Sequence, residues 1–266
     1  MNINYVSYEQ LTKDAFNLAK RLPRKYDIIV GIPKSGMIPA YVIGFALGLP
    51  VYSINEIFKI HNDNKILLID DSITSGGTMK SALHELSNYN VHTVVIYSDR
   101  PKPNVNYYQR IVDAPRVFQW NIFKHGHLAT AAIDFDGVLC QDPVILEDDI
   151  NPMPYIDFIR NAIPLHIPKR EVLAIITNRI EKYRDHCEFW LNKHNVKYKK
   201  LIMSPFDTAN ERRKVYSELG GNGYWKGEQA KKIGAKWFIE SNITQAHQIK
   251  SVINKSVFCT DTMQMI

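Results

Sequence analysis

The chain has 266 residues, 45% of them hydrophobic and 23% charged, the proportions of an ordinary globular protein. No run approaches the roughly 18–20 uninterrupted apolar residues that a membrane span needs, and the opening MNINYVSYEQ has neither a basic leader nor an apolar signal core, so a cytoplasmic protein is expected. A formal charge of +6 without any long basic run argues for small phosphorylated anions as ligands and against nucleic acid.

Ser7-x-x-Gln10 predicts a capped helix start, with Leu11, Ala15, Leu18 and Leu22 on one face of the helix. Ile28–Val30 reads as a short strand. Pro39 fits the first turn of a second helix, and Gly48-Leu49-Pro50 fits its end. KILLID (Lys65–Asp70) and TVVIYS (Thr93–Ser98) read as buried strands of parallel type. Between them, Met79, Ala82, Leu83 and Leu86 repeat at helical spacing, which places a helix start just after Gly77. After the polar stretch NIFKHGH the alternation begins again, with strands expected at Ala129–Asp134, Glu171–Thr177, Ala235–Glu240 and Ser256–Cys259. Strands alternating with helices predict an α/β protein of two domains, residues 1–125 and 126–266, each a mainly parallel sheet flanked by helices. Cys140, Cys187 and Cys259 are far apart and have no metal-like spacing, so reduced structural thiols are expected. Neither Cys140 nor His125 and His127 is assigned any chemistry.

Two adjacent acids, Asp70 and Asp71, follow the apolar run Ile66–Ile69, and a hydroxyl- and glycine-rich turn follows them. Ligands of open α/β sheets bind at such carboxyl ends of strands. Gly76 and Gly77 let the backbone approach an anion. The free N–H groups of the helix start, with Thr74, Ser75 and Thr78, can hold a phosphate. The carboxylates can accept hydrogen bonds from a sugar diol, so the pattern predicts a sugar-phosphate site.

Ile66–Thr78 resembles the diphosphate-sugar signature of type I phosphoribosyltransferases, and VGIPKSGMIPA (Val30–Ala40) resembles that family's pyrophosphate-binding loop. The resemblance implies transfer of ribose 5-phosphate from phosphoribosyl pyrophosphate (PRPP), with Mg²⁺, to a nucleobase-like nitrogen acceptor such as a 6-oxopurine. It places Lys34, Ser35 and Gly36 on the pyrophosphate and Asp70, Asp71 and Thr74–Thr78 on the sugar phosphate. By likeness to purine-type members, it also places Arg100 or Lys102 on the base's exocyclic oxygen and Trp120 against the ring. The family usually carries a mobile lid before the signature, and Ser53–Asn64 leaves little room for one.

AAIDFDGVLCQDP (Ala131–Pro143) again sets carboxylates at a strand end. Asp134 can attack phosphorus, and Asp136 can protonate the leaving group and later activate water. A divalent ion would let the two anions approach. With Thr177 at the end of one strand, Lys226 in WKGEQAKK and Glu240 at the end of another, the order resembles the four motifs of haloacid dehalogenase (HAD) superfamily phosphatases. The resemblance implies a Rossmann-like fold without a large cap. It makes Asp134 the nucleophile, Asp136 the acid/base, Thr177 the phosphate-holding hydroxyl and Lys226 the neutralising lysine, with Lys231 and Lys232 as nearby rivals. Asp134, Asp136 and Glu240 would ligate Mg²⁺. Where the fourth motif usually has two acids, Ser241 follows Glu240.

The expected whole is a bifunctional enzyme acting on PRPP, a nucleobase-like acceptor and a phosphorylated small molecule. The alternative is a phosphatase regulated by a non-catalytic PRPP- or nucleotide-sensing module. The sequence is compatible with a homo-oligomer.

Overall fold

The long apolar runs become the inner strands of two separate sheets in the computed structural model, which describes residues 2–101, 104–144 and 147–266. The chain divides into two compact units, Asn4–Trp120 and Asn121–Ile266, and Ile3 belongs with the second.

The first unit runs β1 (Asn4–Val6), α1 (Tyr8–Ala19), β2 (Ile28–Gly31), α2 (Met37–Leu47), β3 (Val51–Ser53), β4 (Lys65–Ile73), α3 (Gly77–Glu85), β5 (Asn90–Ser98), β6 (Tyr107–Ile111) and β7 (Arg116–Phe118). Five strands form an all-parallel sheet in the order β3-β2-β4-β5-β6, and β1 pairs with β7 in a separate parallel ribbon. Ser7 Oγ accepts the Gln10 N–H at 3.1 Å, so α1 has the expected cap, but the Gln10 side chain turns to Asp14 Oδ1 at 2.9 Å. Alternation along β4 explains its unbroken apolar run. Leu67 and Ile69 pack with Leu11, Leu18 and Ile43 on one face, while Ile66 and Leu68 pack with Met79 and Ala82 on the other.

The expected end of this strand needs correction. β2 stops at Gly31, paired with Ile69, whereas β4 continues alongside β5 to Ile73. Asp70 and Asp71 therefore lie inside β4, just past the end of one neighbour and still paired to the other. β3, β6 and the β1–β7 ribbon are too short or too polar to stand out in the sequence.

The second unit runs β8 (Ala131–Ile133), α4 (Met153–Asn161), β9 (Ala174–Ile180), α5 (Arg184–Lys193), β10 (Leu201–Ser204), α6 (Ala209–Glu218), α7 (Asn222–Lys232), β11 (Trp237–Glu240), α8 (Ile243–Ile253), β12 (Val257–Cys259) and β13 (Gln264–Met265). The sheet order is β10-β9-β8-β11-β12-β13, parallel throughout except for the last pair. β9 begins and ends three residues later than expected, because its pairing with β10 extends to Ile180 opposite Ser204. Ala132, Ala174, Ile176 and Phe238 pack against Ala230, Ala246 and Ile249 of the covering helices. Each of the three cysteines is buried and unpaired. Among the described residues, no helix is long and apolar enough to cross a membrane.

Candidate functional site

In the first unit, the loop between β2 and α2 is fastened to β4 by its backbone. The Ile32 N–H donates to the Ile69 carbonyl at 2.9 Å. A Cβ on Gly36 would lie 2.6 Å from Ile32 O, 2.8 Å from Ile69 O and 2.9 Å from Asp70 Cα, so only glycine allows this approach. The Pro33–Lys34 peptide is cis, Lys34 is exposed, and Ser35 Oγ donates to Asp71 Oδ1 at 2.6 Å. The expected pyrophosphate loop and the acid pair thus share one cluster.

The two acids are bound differently. Asp71 also accepts from Ser72 Oγ at 3.2 Å and from the Trp120 indole N–H at 2.8 Å, both on Oδ2. Asp70 Oδ1 accepts the Asp71 N–H at 2.9 Å. Burial, reinforced by the neighbouring Asp71 carboxylate, pushes the Asp70 carboxyl up to about 8. Neither acid forms an ion pair among the described residues, so Asp70 keeps its proton near neutrality and can donate a hydrogen bond.

After β4, Thr74, Ser75, Gly77 and Thr78 are exposed, and Gly76 turns the chain at φ +79° into α3. The first N–H groups of α3 have no partner within the helix. A cleft of about 600 Å³ lies over this turn, lined also by Met79, Lys80, Arg100 and Asn104. Two arginines hold the turn. Arg100, exposed and paired with Asp99, donates to the Thr74 carbonyl at 2.7 Å. Arg116, buried, donates to Ile73 O and Thr74 Oγ1, both at 2.7 Å, and burial holds its pKa below the usual arginine range. Arg100, expected on the base, thus faces the Thr74–Thr78 turn, and Trp120 faces Asp71. Lys102 lies outside the described residues. Arg116 carries no motif. Its only sequence signal is a cation beside a buried apolar stretch.

In the second unit, Asp134 follows β8 and is bonded on both oxygens. Oδ1 accepts the Phe135 N–H at 2.7 Å, and Oδ2 accepts Lys226 Nζ at 2.5 Å. The same ammonium donates to Glu240 Oε2 at 2.8 Å, while Glu240 Oε1 takes the N–H groups of Ser241 and Asn242 at 3.1 and 3.2 Å. Lys226 is the buried lysine here, whereas Lys231 and Lys232 are exposed. Burial and the adjacent Glu240 push the Asp134 carboxyl well above its usual range, outweighing Lys226. Burial would depress Lys226, but its two carboxylates hold it above the usual lysine range.

Asp136 sits in a fork made by Arg179, with Nε on Oδ2 at 3.0 Å and Nη2 on Oδ1 at 2.5 Å. This arginine was not anticipated. It is 1% exposed and lies over the Phe135 ring at 4.1 Å. Thr177 is buried, with Oγ1 accepting the Arg179 N–H at 3.2 Å. Asp134, Asp136 and Lys226 line a cleft of about 330 Å³ that also bears Asp142, Arg212 and Arg213.

The expected ligand set for a divalent ion does not converge. Asp134 and Glu240 are joined through Lys226, and both Asp136 oxygens are taken by Arg179. Among the described residues, no group of three or more His, Cys, Asp or Glu side chains is placed to hold a metal ion. Protein cations stand where those carboxylates were expected to meet a metal, so no step below runs through one.

No protein-family model and no curated protein matches the sequence. Solved structures match over a little under half of it. A purine phosphoribosyltransferase from Pyrococcus horikoshii Ot3 is 24% identical over 45% of this chain and 94% of its own, with a TM-score of 0.39. A xanthine-guanine-hypoxanthine phosphoribosyltransferase from Helicobacter pylori is 18% identical over 46% of this chain and 95% of its own, with a TM-score of 0.40. A hypothetical protein from Neisseria gonorrhoeae with bound ppGpp is 18% identical over 45% and 89%, with a TM-score of 0.39.

Proposed function

We propose that the first unit transfers the 5-phosphoribosyl group of PRPP to a nucleobase-like nitrogen acceptor. The observation that carries this is the junction at the end of β4, where Ser35 of one loop bonds Asp71 and the Gly36 backbone packs on Asp70, one turn before Thr74–Thr78. Asp70 and Asp71 would take the ribose diol, one donating and one accepting. The turn and the N-terminus of α3 would take the 5-phosphate, and Lys34, Ser35 and Gly36 the departing pyrophosphate. The acceptor nitrogen then bonds to C1 as the C1–oxygen bond breaks and pyrophosphate leaves with the electron pair. Stabilising that leaving group is the main demand, and it falls to fixed amides and cations.

The second unit is read as a phosphomonoesterase. Asp134 attacks phosphorus as the P–O ester bond breaks, the alcohol leaves with a proton from Asp136, and Lys226 neutralises the phosphoaspartate. Asp136, aligned by Arg179, then takes a proton from the water that attacks phosphorus, which releases phosphate and restores Asp134. Thr177 would hold a phosphoryl oxygen after its hydroxyl swings from the Arg179 amide. Acting in sequence, the two sites would make a 5′-phosphate and then remove it.

Incubation with PRPP and a panel of nucleobases, followed by mass spectrometry, tests this. Pyrophosphate release with a ribosylated base is expected, and Asp134→Asn should accumulate the phosphorylated product. Identical products from both proteins would refute consecutive action. A second reading, a PRPP sensor without turnover, is favoured by the short segment Ser53–Asn64, which leaves little room for a lid. PRPP binding without pyrophosphate release would select it.

A further inference from the structure

The Trp120 ring is expected against an acceptor base, yet its one polar atom is already spent within the protein. Its indole N–H donates to Asp71 Oδ2 at 2.8 Å. The ring is fixed by an aromatic stack. Phe118 lies nearly parallel at 4.9 Å and 11°, Tyr97 lies parallel to Phe118 at 5.5 Å and 22°, and Tyr8 tilts against Trp120 at 5.6 Å and 41°. The far end of the stack is tied down too, because the Tyr97 hydroxyl donates to Asp14 at 2.9 Å. A ring so held presents its N–H in one direction.

A carboxylate offers about four acceptor sites, two per oxygen. On Asp71, Trp120 and Ser72 fill both sites of Oδ2, and Ser35 fills one of Oδ1. The spare acceptor capacity is therefore on Oδ1. We infer that Trp120 is a positioning residue, its indole N–H turning Asp71 so that Oδ1, the less heavily bonded oxygen, is presented to one ligand hydroxyl. Without the indole, the carboxylate could rotate and Oδ2 would be open to water, so the diol would meet a poorly aimed acceptor. The ligand half of this inference rests on the PRPP reading above. The indole–carboxylate link itself does not.

The test uses the full chain. In ¹⁵N-labelled protein, Asp71→Asn should move one of the four indole N–H signals, the one absent from Trp120→Phe. No moved signal overturns the link, and this is readable in Asp71→Asn even if Trp120→Phe does not fold. Calorimetric titration with PRPP follows. Trp120→Phe keeps a ring that can stack on Phe118 but has no donor, and it should raise Kd roughly ten- to a hundred-fold. In an Asp71→Asn background the same change should cost almost nothing further, because its effect passes through Asp71. Equal Kd for wild type and Trp120→Phe overturns the inference while the PRPP reading stands. So does a raised acceptor KM in Trp120→Ala with Kd for PRPP unchanged, which would make the ring a stacking platform. A wild type that does not bind PRPP while its indole signal still responds to Asp71→Asn overturns the PRPP reading and the ligand half with it.

Discussion

Along β4, the carboxylates of Asp70 and Asp71 are met by hydroxyls, an indole and a backbone amide. At the end of β8, those of Asp134 and Asp136 are met by the buried cations of Lys226 and Arg179. Both pairs lie toward the carboxyl end of an inner strand of a parallel sheet, so architecture alone does not separate them. The partners do. Neutral donors leave Asp70 with a raised pKa and the pair able to hydrogen-bond neutral hydroxyls. Cations hold a carboxylate aimed, as a nucleophile or base requires.

The largest effect should come from removing a cation. Lys226→Met leaves Asp134 and Glu240 buried together without a counter-charge, and chemical denaturation should record a loss of about 3–5 kcal/mol. A loss under about 1 kcal/mol would mean the second site does not depend on its cation, and the contrast would fail.

At the first site the burden is an uncompensated acid. Asp70 is raised from 3.8 to about 8 on folding, so the native state binds the extra proton between those values. Stability is therefore full below the unfolded pKa and falls as pH rises towards 8. Between pH 6 and 8 the wild type should lose up to about 1.4 kcal/mol per pH unit through this group, and Asp70→Asn should not. Denaturation at a series of pH values checks it, and parallel curves would contradict a protonated Asp70.

Gly36→Ala should follow, destabilising by about 1–3 kcal/mol through its clash with three backbone atoms and weakening PRPP binding more than thermal stability suggests. Normal binding would detach the Lys34–Gly36 loop from the site. The smallest effect, about 1 kcal/mol by thermal melt, is expected for Ser7→Ala, which removes the α1 cap far from either pair.

What was legible in the sequence was local. The apolar runs of β4, β5 and β8 and the glycine-rich turn before α3 are written in consecutive residues, and so are the acid pairs. The partners of those acids are not. Trp120 lies 49 residues from Asp71, Arg179 lies 43 from Asp136, and Arg116 lies 42 from Thr74. Only the parallel crossovers bring them together, and no periodicity marks a donor that acts across such a distance. The cations beside the expected metal ligands are hidden for the same reason. Asp134, Asp136 and Glu240 have the right chemistry, but the cations that occupy them come from other elements. The end of β4 was misjudged because strand length is set by the neighbour, and β5 continues where β2 stops.

A crystal structure of the protein soaked with PRPP tests the account's centre most directly. The account predicts the pentose diol on Asp70 and Asp71, with one hydroxyl on Asp71 Oδ1, and the 5-phosphate on the backbone of Thr74–Thr78. A pentose bound elsewhere, with both acids turned to solvent and the turn at Gly76 and Gly77 free of phosphate, would contradict it.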